Sequence, residues 1–302
     1  MKRKVIKQAN QAYTITLPIE WVRQNKINEK TELEVTPEEK SLIITSTTGK
    51  VDGGKISIDV SEINPRIIQI TVSSLFAKGI DEIEVISNKN ISEKLMSACA
   101  NTLGYAVISQ EKNKWIIKDV GSSDYSDIDE IFKRIFQMIL AFYDSAIQDI
   151  FGEEKETEDN LKLRDREVNK FCLYLQRAVN KMSYQNATDG RTLFTYSFEL
   201  EKLSDEIERL WRTNIKYAVK KTEKLKELAE LVKNGLEQAF DSYFMFSLNK
   251  IGDCSKIREQ VREDSLKQYK ANPETMRFIR HLVKIIEEAN DLTPLNIMRR
   301  LK

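Results

Sequence analysis

Two acidic residues four positions apart, Glu201 and Asp205, carry the clearest chemical signal in the chain. In the stretch FELEKLSDEIERLW, Leu200, Leu203, Ile207 and Leu210 recur at helical spacing and form a buried stripe. Glu201 and Asp205 then stack one turn apart on a different face. Like charges so placed repel by about 0.2–0.5 kcal/mol on a free helix, so the pair is either tolerated or used. Tolerated, it belongs to a solvated ladder in which Arg209, four residues after Asp205, quenches the repulsion. Used, it holds a hard cation through oxygen ligands. Asp165 and Asn169 repeat the spacing on the preceding helix. Asp165 lies at the edge of that helix's apolar stripe, where it can point into the groove between neighbours. A shallow, partly open site of carboxylates with one amide and no imidazole suits magnesium or iron(III) better than a structural zinc.

Other chemistries lack their parts. The single histidine, His281, has Phe278 three residues before it, so the Glu-x-x-His pairs of a di-iron carboxylate oxidase are missing. No Ser/His/Asp or Cys/His set can be assembled, and no enzyme is expected. Cys99, Cys172 and Cys254 are scattered and form no CxxC, which fits reduced core thiols in a cytoplasmic protein. The basic start, MKRKVIKQ, runs into polar residues rather than an apolar signal core. No apolar run approaches the roughly 20 residues of a membrane span, so no membrane insertion is expected.

The chain has 302 residues, 31% of them charged, yet its net charge is only +1. Any case for nucleic acid is therefore local. Lys2, Arg3, Lys4 and Lys7 lie within eight residues without an acid, beside Gln8, Asn10 and Gln11. Such a cluster offers phosphate contacts and side chains able to reach base edges.

The elements that must position these groups fall into three parts. Over residues 1–48, VIKQ and YTITL read as strands. Pro18 opens a short helix, IEWVRQN, and ELEV and SLIIT close the unit as strands. A unit this small cannot bury enough apolar area alone and should pair with a second copy. KQANQAYTITLPIEWVRQNKINEKTELEV resembles the swapped-hairpin AbrB/SpoVT family of DNA-binding domains. The resemblance implies an interlocked homodimer whose basic two-fold surface meets DNA. It places Lys7 and Arg23 at the family's basic contact positions. Tyr13 and Thr14 stand where many members have Gly-Arg, and Val22 where many have a second arginine, which implies a thinner footprint.

Gly49, Gly53 and Gly54 read as a hinge or turn, because GxxxxGK[ST] is absent. Over 55–121, KISIDV, IDEIEVI, YAVISQ and KWIIKDV read as strands. PRIIQITVSSLFAKG and ISEKLMSACANTLG read as helices closed by Gly79 and Gly104. From about residue 127 strands stop, and six helical patterns follow at 127–151, 157–186, 192–216, 219–245, 253–270 and 274–301. Splitting them near residue 217 gives two blocks of three, a sign of internal duplication. The fold class expected is thus α+β and multidomain, with a β unit, an α/β connector and an all-α domain over 127–302.

The helical half resembles the PhoU family, built as two three-helix bundles with acidic (E/D)xxxD motifs. Glu201-Lys-Leu-Ser-Asp205 matches the motif fully, and Asp165-Arg-Glu-Val-Asn169 matches its first position. Val283-Lys-Ile-Ile-Glu287 has lost the leading acid. The resemblance implies a metal site of iron or zinc at Asp165, Asn169, Glu201 and Asp205 and a role in phosphate uptake. Some archaeal PhoU proteins carry an AbrB-like N-terminal domain, and that combination spans this chain. Two functions follow from it. One is a DNA-binding regulator of phosphate homeostasis. The other is an adapter that inhibits a phosphate ABC transporter ATPase or a sensor kinase, with the N-terminal unit only dimerising.

Overall fold

The computed structural model describes residues 2–8, 12–37, 41–46, 53–121, 128–152, 157–182, 187–217, 219–268 and 272–301. The chain divides into two compact units, Met1–Val51 and Asp52–Lys302. The first is a small strand region and the second is mostly helical, so the protein is mixed α+β and multidomain.

In the first unit β1 (Ile6–Gln8) pairs antiparallel with β2 (Ala12–Thr14). After the short helix α1 (Ile19–Gln24), β3 (Leu33–Pro37) pairs antiparallel with β4 (Leu42–Ser46). Pro18 is the cap rather than the first helical residue: its backbone is extended, at ψ 127°. Among the residues of this unit whose burial is described, none is buried. Val5, Ile6, Tyr13, Ile15, Val35 and Leu42 all expose apolar side chains. Two-stranded ribbons are marginal by themselves in water, and these two enclose no core of their own.

The second unit opens with a four-stranded sheet in the order β5 (Lys55–Asp59), β6 (Glu82–Ile86), β8 (Lys114–Asp119), β7 (Tyr105–Glu111). β5 and β6 are parallel, linked through α2 (Pro65–Lys78); the other pairings are antiparallel. Helix α3 (Ser92–Ala100) leads from β6 to β7. Alternation buries Ile83 and Val85 of β6 and Trp115 and Ile117 of β8. They meet Ile68, Val72 and Phe76 of α2 and Leu95 of α3 in one core.

Asn64 caps α2 by accepting from the Arg66 N–H, and Gly79 closes it with φ 94°. Gly104 does not close α3. That helix ends at Asn101, and Gly104, at φ 123°, leads into β7, where an added Cβ would sit 2.5 Å from Asp119 Oδ1. Gly53 is no free hinge. Its N–H donates to Asp81 Oδ2 at 2.9 Å, and a Cβ there would meet the Gly79 carbonyl oxygen at 1.7 Å. Gly49 lies outside the described residues.

Helices α4 (Ile128–Phe151), α5 (Glu158–Lys181), α6 (Ala187–Lys216), α7 (Glu223–Phe244), α8 (Leu248–Lys267) and α9 (Pro273–Arg300) complete the unit. Thr157, Thr222, Ser247 and Asn272 cap α5, α7, α8 and α9. The Ser247 cap starts α8 at Leu248, ahead of the expected 253, and α6 starts at Ala187, ahead of 192. α4, α5 and α6 pack on one another, as do α7, α8 and α9. The sets join where α6 meets α9 and α4 meets α7, around a single apolar core. Among the described residues no helix is long and apolar enough to cross a membrane.

Candidate ligand cleft and nucleic-acid interface

A cleft of about 990 Å³ opens between α2, α5 and α6. Its walls are fixed by Arg177, a fully buried residue of α5. The guanidinium donates to the carbonyls of Phe76 and Ile80 at 3.0 and 2.8 Å, and to Asp81 and Asp119 at 2.6 Å each. It also lies over the Phe76 ring, 4.8 Å from the centroid. Lys181 adds bonds of 2.8 and 2.7 Å to the two Asp81 oxygens, and Asn180 donates to the Ala77 carbonyl. Burial pushes Asp81 up, but the hydrogen bonds from Lys181 and the Gly53 N–H outweigh it and hold the carboxyl below its usual range. The α/β layer is thereby bolted to α5.

The structure brings three of the four expected metal ligands, Asp165, Asn169 and Glu201, to this cleft. Asp165 Oδ1 accepts from the Ser204 hydroxyl at 2.9 Å, and Oδ2 accepts from Asn169 Nδ2 at 3.2 Å. Burial pushes Asp165 up to about 6. Glu201 is half-buried and also raised, by burial first and then by Asp205 and Asp165. Asp205 does not line the cleft; Arg209 Nη2 holds it at 2.8 Å in the helix-surface ladder. Among the described residues no group of three or more His, Cys, Asp or Glu side chains is placed to hold a metal ion. Asp205 is paired with Arg209, and Asp165 is bonded to Ser204 and Asn169, so the four residues do not converge on one point in this arrangement.

A second buried charge cluster lies one residue along from Asp205, at Glu206, which is 2% exposed. Its carboxylate meets His281 Nδ1 at 2.6 Å, Arg209 at 3.0 Å and Lys284 at 3.1 Å. Burial alone would raise Glu206; the bonds from His281, Arg209 and Lys284 overcome it and hold the carboxyl down at about 2. The other His281 nitrogen faces the Thr213 hydroxyl at 3.0 Å, so the histidine ties α9 to α6. The sequence signal for this was His281 and Lys284, three apart on a helix whose partner was not known.

In the first unit, Lys2, Arg3, Lys4, Lys7 and Gln8 are exposed along one continuous segment. Lys7 sits in β1 opposite Tyr13. Arg23 is exposed in the last turn of α1. Asn10 lies outside the described residues.

A family described as "Antidote-toxin recognition MazE, bacterial antitoxin" matches residues 6–52. The N-terminal unit carries a MazE/AbrB-like domain. Domains of this type typically dimerise and bind DNA, which accords with a strand unit that has basic residues along the segment leading into β1 and no buried core among the described residues. No curated protein and no solved structure matches the chain.

Proposed function

We propose that the protein is a homodimeric DNA-binding transcriptional regulator. In this reading the N-terminal units of two chains interlock as swapped hairpins, and the helical half is a PhoU-like sensory domain acting in phosphate homeostasis. One observation carries the reading: a unit matched over residues 6–52 by a MazE-type family exposes its apolar side chains and its basic strand together. Pairing covers the first and leaves the second for a duplex. The PhoU-like assignment is supported by two mutually packed sets of three helices and by acidic motifs beginning at Asp165 and Glu201 on adjacent helices.

The test is DNA binding to the promoter of the chain's own operon, followed by fluorescence anisotropy across a salt series. Lys7→Ala or Arg23→Ala is expected to weaken binding, and each should flatten the log–log salt slope by about one per lost phosphate contact. If no duplex binds even at low salt, the regulator reading fails. The helical half is then better read as an adapter on a transporter ATPase or sensor kinase.

A further inference from the structure

The cleft between α2, α5 and α6 has unlike ends. The consecutive helices α5 and α6 pack side by side and run antiparallel, and the Asp165–Ser204 bond fixes their register. Lys162 and Arg166 of α5 therefore lie toward the Arg212 end of α6, while Leu173 and Gln176 lie level with Phe194 and Phe198. One end carries three cations, of which Lys162 pairs with Glu158 at 2.6 Å and Arg212 with the lining Glu208 at 2.8 Å; the other is aromatic, with amides. Glu201 and Asn169 sit between them.

Several of these groups have unused bonding capacity. Gln176 is only 3% exposed, and its Nε2 has no hydrogen-bond partner. Asn169 Oδ1 is likewise buried and unpartnered. Buried polar groups are rarely left unpaired, so each of these two amides needs a partner that the protein itself does not supply. Arg166, and Arg66 and Lys78 from α2, line the cleft with no ion pair among the described residues. Phe198 is 43% exposed and Ile70 64%, so apolar surface is also left uncovered.

We propose that this cleft binds a nucleoside phosphate, its phosphates at Lys162, Arg166 and Arg212, its ribose at Glu201 and its base against Phe194 and Phe198 with Gln176. Guanidinium groups recognise phosphate by paired hydrogen bonds. A carboxylate beside them accepts from ribose hydroxyls, as an acidic side chain does in dinucleotide sites. Aromatic rings stack on a base, and the Gln176 amide supplies the donor that a base edge accepts. Arg166 and Leu173 are two helical turns apart, about 10 Å along the axis, a reach suited to a phosphate at one end and a base at the other. Inorganic phosphate alone would leave the rings and amides unused, and a purely apolar ligand would strand the cations. The inference rests on the helical half and holds whatever the N-terminal unit binds.

Isothermal titration of the full chain, without DNA, tests it. The probes are the 5′-mono- and triphosphates of adenosine, guanosine, cytidine and uridine, with adenosine, inorganic phosphate and pyrophosphate as controls. At least one nucleotide is expected to bind at least about tenfold more tightly than its nucleoside or phosphate alone. Arg166→Ala and Gln176→Leu should each weaken it by about fivefold or more while the circular dichroism stays that of the parent. If Gln176→Leu fails to fold, Glu201→Ala, at a less buried position, replaces it. Absence of nucleotide binding, equal binding of phosphate alone, or unchanged affinity in the folded variants would each overturn the assignment.

Discussion

Glu206 and Glu288 sit on facing helices and share Lys284, at 3.1 and 3.3 Å, yet their surroundings push them apart. Glu206 is held at about 2 by its hydrogen bonds to His281, Arg209 and Lys284 despite burial. Glu288, 8% exposed and with Oε2 unpartnered, is pushed by burial up to about 7. The signs of their pH dependence are opposite. The stability from Glu206 is present above its ordinary 4.5 and is lost as pH falls toward 2. For Glu288 the folded state holds the proton more tightly, so its contribution is full below pH 4.5 and is lost as pH rises to about 7. Glu288→Gln removes that loss. Urea unfolding at pH 4.5 and 7.5 should show the variant gaining on the parent by on the order of 2 kcal/mol across the interval. An equal gap at both pH values would mean Glu288 ionises freely. At this scale the sequence was half legible. The i, i+4 acids stood out because their spacing is local, and Arg209 was visible as the partner that Asp205 takes. Gln176 gave no signal, and Asn169 stood out only by its motif spacing, since an unmet hydrogen bond depends on what the rest of the fold fails to supply.

Among the elements, α5 does two jobs, and Arg177 shows why they are linked. Its stripe of Leu161, Val168, Cys172, Leu175 and Val179 packs into the helical core. Leu173 packs against the α/β layer, and Tyr174 touches both that layer and the helical core. Arg177 completes that second face, with four hydrogen bonds reaching residues about 60 to 100 positions away. Arg177→Leu would strand Asp119, which is 10% exposed, along with two carbonyls, and is expected to cost about 3–5 kcal/mol in urea unfolding. Arg177→Lys should rescue little, because one ammonium cannot span four acceptors in a fork. A loss under about 1 kcal/mol in Arg177→Leu would show the layer to be held by its apolar contacts alone. The long helices were legible because periodicity and caps are local properties. The ends that the sequence reading misplaced, at α3, α6 and α8, depend on single cap or turn residues. The role of Arg177 was hidden because nothing in LQRAVN shows that its charge is met from another layer.

For the whole molecule, the change from strands to helices near residue 127 was plain in the sequence. The packing of the α/β layer and the helices into one unit was not, because contacts distant in sequence carry it. What the sequence and the structure both point to is the incompleteness of the first unit. Its two ribbons pair Ile6 with Thr14 and Val35 with Ile44, but none of the residues there whose burial is described is buried. A domain of some fifty residues is close to the lower limit for independent folding even with a full core. In the proposed homodimer, a second copy would supply the missing partner surface. The second unit, by contrast, holds both apolar cores formed by the described residues. Removing residues 1–48 should therefore leave a helical protein with its far-ultraviolet circular dichroism and cooperative unfolding intact. In sedimentation velocity it should run as a monomer where the full chain runs as a dimer. A truncated protein that still sediments as the dimer would place the association surface on the helices instead.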